Sequence, residues 1–189
     1  MNLNFKNKMK NKIALICLFL VSILLFACQS GKEKLEQNIL SNEQKLMNDT
    51  TKMVNPAVAE EVMKSYKEFA EKYPDDTLAA TYLFKAADLS TGIRKFKDAI
   101  ALYEEFGKKY PSHPKAPVSL FLRAFIYDTN LRDVQNAKML YSEFIQKYPT
   151  HQLTPSAQAS LNQLNMGLTD EQLIKLFEAK QDSLARASQ

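Results

Sequence analysis

The chain has 189 residues, 46% of them hydrophobic and 10% aromatic, which suffices for a packed core and excludes intrinsic disorder. Four glycines and no tryptophan count against a turn-rich β fold, while abundant alanine, leucine, lysine, glutamate and glutamine favour helix. The net charge of +4 comes from Lys6, Lys8, Lys10 and Lys12; beyond residue 27 the 21 basic and 21 acidic residues balance, so nucleic acid is not an expected partner.

Residues 1–12 are basic and acid-free, and Ile13 to Ala27 is a run of fifteen almost wholly apolar residues. A membrane-spanning helix needs about 20 such residues, so this run has the length of a signal-peptide core, the alternative being a short uncleaved anchor. The sequence Leu25-Phe26-Ala27-Cys28 that follows resembles the lipobox of bacterial lipoproteins, with Phe26 bulkier than usual. The resemblance implies that residues 1–27 are removed and that Cys28, alkylated with diacylglycerol and acylated, becomes the first residue of the mature chain. Two or three acyl chains give stable attachment where one is marginal. Gln29, in place of the aspartate that marks inner-membrane retention in enterobacteria, implies the outer membrane, with the protein facing the periplasm. Cys17 and Cys28 are the two cysteines, so the rest of the chain has no thiolate for disulfide, metal or nucleophilic chemistry.

The segment 28–55 reads as lipid-bearing Cys28, a polar tether over 29–34 and a weak amphipathic helix marked by Leu35, Ile39, Leu46 and Met47. From residue 56 to 189 an internal repeat governs the pattern. Val62-MKSYKEFAEKY-Pro74, Ala99-IALYEEFGKKY-Pro111 and Ala137-KMLYSEFIQKY-Pro149 align without gaps, with successive prolines 37 and 38 residues apart. Offsets of four, three and four place the small residue, Tyr66, Tyr103 or Tyr141, Phe69, Phe106 or Phe144, and the final tyrosine on one helical face. The proline drives its predecessor out of the α region and ends the helix. Between these blocks lie Leu78–Ser90 and Ala116–Asp128, apolar nearly all round and therefore read as helices buried on several sides. Asp75 or Asp76, Ser112 and Thr150 are candidate caps for the helix after each proline.

This arrangement resembles the tetratricopeptide repeat (TPR), over about residues 56–166. Ala99 and Ala137 match the helix-B alanine of that family, Val62 being the imperfect first copy, and the proline matches throughout. Tyr103 and Tyr141 match its phenylalanine, and Phe106 and Phe144 enlarge its later alanine. Ala87 and Ala124 match the small helix-A residue, while Leu83 or Leu120 replaces the usual tryptophan. The long period and the Phe-x-x-Lys-Tyr-Pro ending resemble periplasmic TPR lipoproteins of the BamD and CpoB type. The resemblance implies an all-α, TPR-like α-solenoid of antiparallel helix hairpins, about seven helices in the mature chain.

Thr154 as N-cap with Pro155 at N1 is expected to start a further helix ending near Gly167 in a left-handed turn. Thr169-Asp-Glu-Gln172 reads as a capping box opening a C-terminal helix to about Ala187. His113 and His151, two residues after successive prolines, lack a surrounding ligand cluster and read as turn residues, not as a metal pair. No phosphate loop, serine elbow or cysteine–histidine pair is present, so neither an enzyme nor a cofactor is expected.

In this family helix A lines the concave groove, which by register here holds Phe84, Asp88, Phe121, Phe125 and Asp128. Because both helices are apolar nearly all round, their neighbours are expected to cover these positions. If open, they form an apolar strip with acidic ends, suited to a peptide or partner helix. The expected function is a lipid-anchored periplasmic scaffold for envelope proteins, with outer-membrane protein assembly as one role. The alternative is a peptidoglycan- or carbohydrate-binding envelope lipoprotein.

Overall fold

In the computed structural model the described residues are 31–47, 55–167 and, beyond these, Gln172, Ile174, Lys175, Glu178 and Arg186. The signal segment and Cys28 lie outside them, as does the start of the expected capping box; the five C-terminal positions are helical. Helix α1 covers 31–47, followed by α2 (Pro56–Lys72), α3 (Thr77–Gly92), α4 (Phe96–Lys109), α5 (Ala116–Phe125), α6 (Val134–Lys147) and α7 (Thr154–Met166). No strand occurs among the described residues. The chain divides into two compact units, one ending at Tyr82 and the other beginning at Leu83.

In the first unit α1 and α2 form a hairpin. Leu35 and Ile39 of α1 are buried, as are Ala59, Val62, Tyr66 and Phe69 of α2. Polar contacts complete the seam: the Asn42 amide donates to Ser65 Oγ at 3.5 Å, and the Tyr66 hydroxyl donates to Glu43 Oε1 at 2.5 Å. Tyr82 of α3 stacks on Tyr66 and meets Phe69 edge-on. The weak helix expected over Leu35–Met47 is therefore a full packing partner, and it begins at residue 31, inside the stretch expected to be tether.

In the second unit α5 packs between α4 and α6, and α7 packs on α6. Ala99, Phe106, Ala137, Tyr141 and Phe144 have no more than 2% of their surface exposed, as the repeat register requires. Phe84 meets Tyr103 and Phe106 edge-on, and Phe121 meets Tyr141 and Phe144 in the same way. Small residues at Ala87 and Ala124, both fully buried, let the helices approach.

Each helix-B block ends in the same turn. Tyr73, Tyr110 and Tyr148 leave the helix at φ/ψ of −129/56, −125/57 and −130/57 degrees, and their N–H groups still donate to Phe69, Phe106 and Phe144. The next proline forbids helical geometry at the tyrosine, so the three turns coincide. The residue two after the proline then ties down the turn that leads into the following helix. Asp76 Oδ1 accepts from the Leu78 N–H at 2.8 Å, and His113 Nδ1 and His151 Nδ1 accept from the Lys115 and Leu153 N–H, each at 3.1 Å. Asp76, the correct member of the first pair, is a true cap, whereas Ser112 and Thr150 are not: the N-cap positions of α5 and α7 are Lys115 and Leu153, and neither makes a side-chain cap bond. Thr154 is likewise no N-cap: Leu153 occupies that place, and the Thr154 hydroxyl donates to the Tyr148 carbonyl at 2.6 Å. Gly167 has a φ of +66°, the left-handed end expected of it.

The helix expected over Ala116–Asp128 changes character before its end. After Phe125 the chain widens into a π-helical turn, Ile126–Asn130, closed by the Leu131 N–H on the Ile126 carbonyl at 3.0 Å.

Candidate partner-binding surface

The five groove positions fall in the second unit and meet different fates. Phe84 is 4% exposed; its ring packs on Tyr103 and Phe106, and Lys115 Nζ lies 4.3 Å from its centroid. That position is covered, with a cation as its lid. Four residues on, Asp88 accepts the Tyr103 hydroxyl at 2.5 Å. Protein around its carboxyl raises the Asp88 pKa, against which the Tyr103 bond and the Lys115 charge work. Burial, reinforced by Asp88, drives the Tyr103 phenol well above its ordinary range.

At the second helix A the outcome differs from the covering expected of these positions. Phe121 is half-buried against α6, whereas Phe125 keeps 44% of its surface exposed. The two rings lie nearly parallel, 16° apart, with centroids separated by 6.4 Å. Asp128, on the π-helical turn, accepts the Tyr141 hydroxyl at 3.3 Å. Burial, with a smaller contribution from Asp128, pushes the Tyr141 phenol up to about 12. By register Phe125 occupies the place of Asp88, and the acceptor has moved three residues along. The result is one open aromatic step beside a half-buried carboxylate. Such a step can take an apolar side chain while the carboxylate meets a donor.

The opposite face of α5 carries a feature absent from the sequence reading. Ala116, Ser119, Leu120 and Arg123 line a cavity of about 280 Å³ with residues of α4 and α6. Arg123 donates to Glu104 Oε2 at 3.0 Å, and Glu104 also pairs with Lys108 at 2.6 Å. These cations hold the Glu104 carboxyl below its usual range, Lys108 first and Arg123 second. The Nε of Arg123 is buried without a partner among the described residues. The only sequence signal was Gly107, where the aligned blocks have Ala70 and Ile145.

His113 and His151 stand edge-on to Phe106 and Phe144, with centroids 5.2 and 5.6 Å away. Both act as structural turn residues. Among the described residues no group of three or more His, Cys, Asp or Glu is placed to hold a metal ion. Nor is any described helix long and apolar enough to cross a membrane.

Paired helices A and B, small residues at the crossings and a proline closing each B helix define an all-α fold of the TPR-like solenoid class. Residues 81–113 and 118–151 each match the tetratricopeptide repeat family. No curated protein matches the chain. Repeats of this kind typically serve as scaffolds that hold protein partners, and the two matched segments suggest that role here.

Proposed function

We propose that the chain is a lipid-anchored periplasmic scaffold of the bacterial cell envelope, held in the outer membrane through Cys28. Its work is to hold apolar peptide or helix segments of other envelope proteins, in outer-membrane protein assembly or a related process. The observation that carries the binding half is Phe125, a large aromatic left 44% exposed on a repeat helix A beside Phe121 and Asp128. The anchoring half is supported by the basic flank, the fifteen-residue apolar run and the Leu-Phe-Ala-Cys ending. The aromatic face a carbohydrate ligand would need is less well supplied, since the repeat tyrosines and phenylalanines are buried.

The test places a photoreactive phenylalanine analogue at position 125 in cells and identifies the crosslinked products. Protein adducts that vanish when the analogue is moved to Phe106, in the core, support the reading; wall fragments alone overturn it. Cys28→Ser is expected to release the protein from the membrane fraction, and a variant that stays bound refutes the anchor.

A further inference from the structure

The start of α1 and the turn joining α2 to α3 share one end of the first unit. Lys32 Nζ pairs with the Asp76 carboxylate, and a side chain begun at Gly31 would stand 3.4 Å from the Tyr73 hydroxyl. The other end is remote: α1 carries 17 residues, about 25 Å at 1.5 Å each, before the chain returns to the Asn55 cap of α2. Only three peptide steps separate Cys28 from residue 31, a reach of about 10 Å even when fully extended.

From this we infer that the Tyr73–Asp76 end of the first hairpin is the end held against the lipid bilayer. The inference rests on the lipid-anchor reading of Cys28 and adds an orientation to it. A flexible linker of tens of residues would let this end drift tens of ångströms from the bilayer, whereas three peptide steps allow about 10 Å. Charge is not what selects the face. Exposed Lys34 and Lys72 are matched there by exposed Glu33 and Asp75, so the short covalent leash sets the orientation on neutral and anionic lipid alike. Lys72 is held by Glu68 at 2.7 Å, and Lys34 can extend its ammonium group to a lipid phosphate while its stem stays on the protein.

The chain has no tryptophan, so a single introduced indole reports its own surroundings. Full-length protein carrying Asp75→Trp or Leu78→Trp would be purified from membranes and reconstituted in brominated phosphatidylcholine vesicles. Met47→Trp, at a position 83% exposed on the far end of α1, is the comparison. Circular dichroism confirms the helical fold of each variant, and the two near-end positions guard against a misfolded one. Quenching at 75 or 78 severalfold stronger than at 47 is the expected result. Inserting ten Gly/Ser residues after Cys28 is expected to abolish the difference, since such a linker spans about 17–19 Å on average. Protein that floats with the vesicles but shows equal quenching at both ends overturns the orientation alone. Protein that does not float and carries no lipid by mass spectrometry overturns the anchor, and the orientation with it.

Discussion

A histidine beside a proline-terminated helix has two jobs in this chain, and they can be separated by substitution. His113 Nδ1 accepts the Lys115 N–H, while the ring leans edge-on against Phe106. His113→Ala removes both and is expected to cost about 1 kcal/mol, a typical net loss for one hydrogen bond, by urea unfolding. His113→Asp copies the first turn, where Asp76 holds the Leu78 N–H, and is expected to recover most of that loss. Ser112→Ala should be nearly neutral. A second residue-scale expectation concerns Asp88, whose carboxyl pKa is raised chiefly by burial. The folded state therefore binds that proton more tightly than the unfolded chain, and the ionised form weakens the fold above the folded pKa. Asp88→Asn is expected to raise the melting temperature only slightly at neutral pH, since the residue is exposed and solvent screens its charge. The advantage shrinks as pH falls through the folded pKa and is gone below the ordinary aspartate value of about 3.9. An advantage that grows on acidification contradicts the assignment.

At the scale of the element, the B helices were legible because their information is local. A small residue, two aromatics and a Tyr-Pro stop lie within thirteen positions, and each obeys its own backbone rule. Helix α1 was faint for the opposite reason. It packs through Leu35 and Ile39 plus the polar Asn42 and Glu43, whose partners Ser65 and Tyr66 are 23 residues away. Hydrophobic periodicity does not register such a helix. The caps expected at Ser112 and Thr150 were misplaced because the turn after the proline runs on to Lys115 and Leu153 before the helix begins, and neither of those side chains caps it. The π-helical turn, which carries the groove aspartate three residues past the aligned position, has no signature in composition. Gly107 in α4 offers an element-scale test. A Cβ there would sit 3.4 Å from Ser119 Oγ, an ordinary contact, so Gly107→Ala is expected to stabilise the protein by up to about 1 kcal/mol through helix propensity. Destabilisation in the urea midpoint would show that the cavity lining has no room for a methyl group.

For the molecule as a whole, the aromatic core carries stability, and the exposed aromatic carries the proposed contact. Phe106 is wholly buried, and Phe106→Ala is expected to cost about 3–5 kcal/mol, a large part of the 5–15 kcal/mol of an ordinary domain. Phe125→Ala, at a site with 44% of its surface in solvent, is expected to change stability by less than about 1 kcal/mol while abolishing partner capture at that face. Unfolding curves and crosslinking yields on the same two variants check both halves. The sequence register placed Phe84, Asp88, Phe121, Phe125 and Asp128 in corresponding parts of the two repeats. It could not tell the covered Phe84 from the open Phe125: Phe84 packs on Tyr103 and Phe106 under Lys115, whereas Phe125 stands one turn further on, at the place of the likewise exposed Asp88.

The thrice-repeated Tyr-Pro turn also has a genetic consequence. Its backbone is nearly superimposable at Tyr73, Tyr110 and Tyr148, so a recombination joining the codons of one Lys-Tyr-Pro to those of the next keeps every helix in phase. Such an unequal crossover adds or deletes 37 or 38 residues at a stroke, with the junction already a folded turn. Length in a gene of this design can change by whole modules while each inherited hinge stays intact.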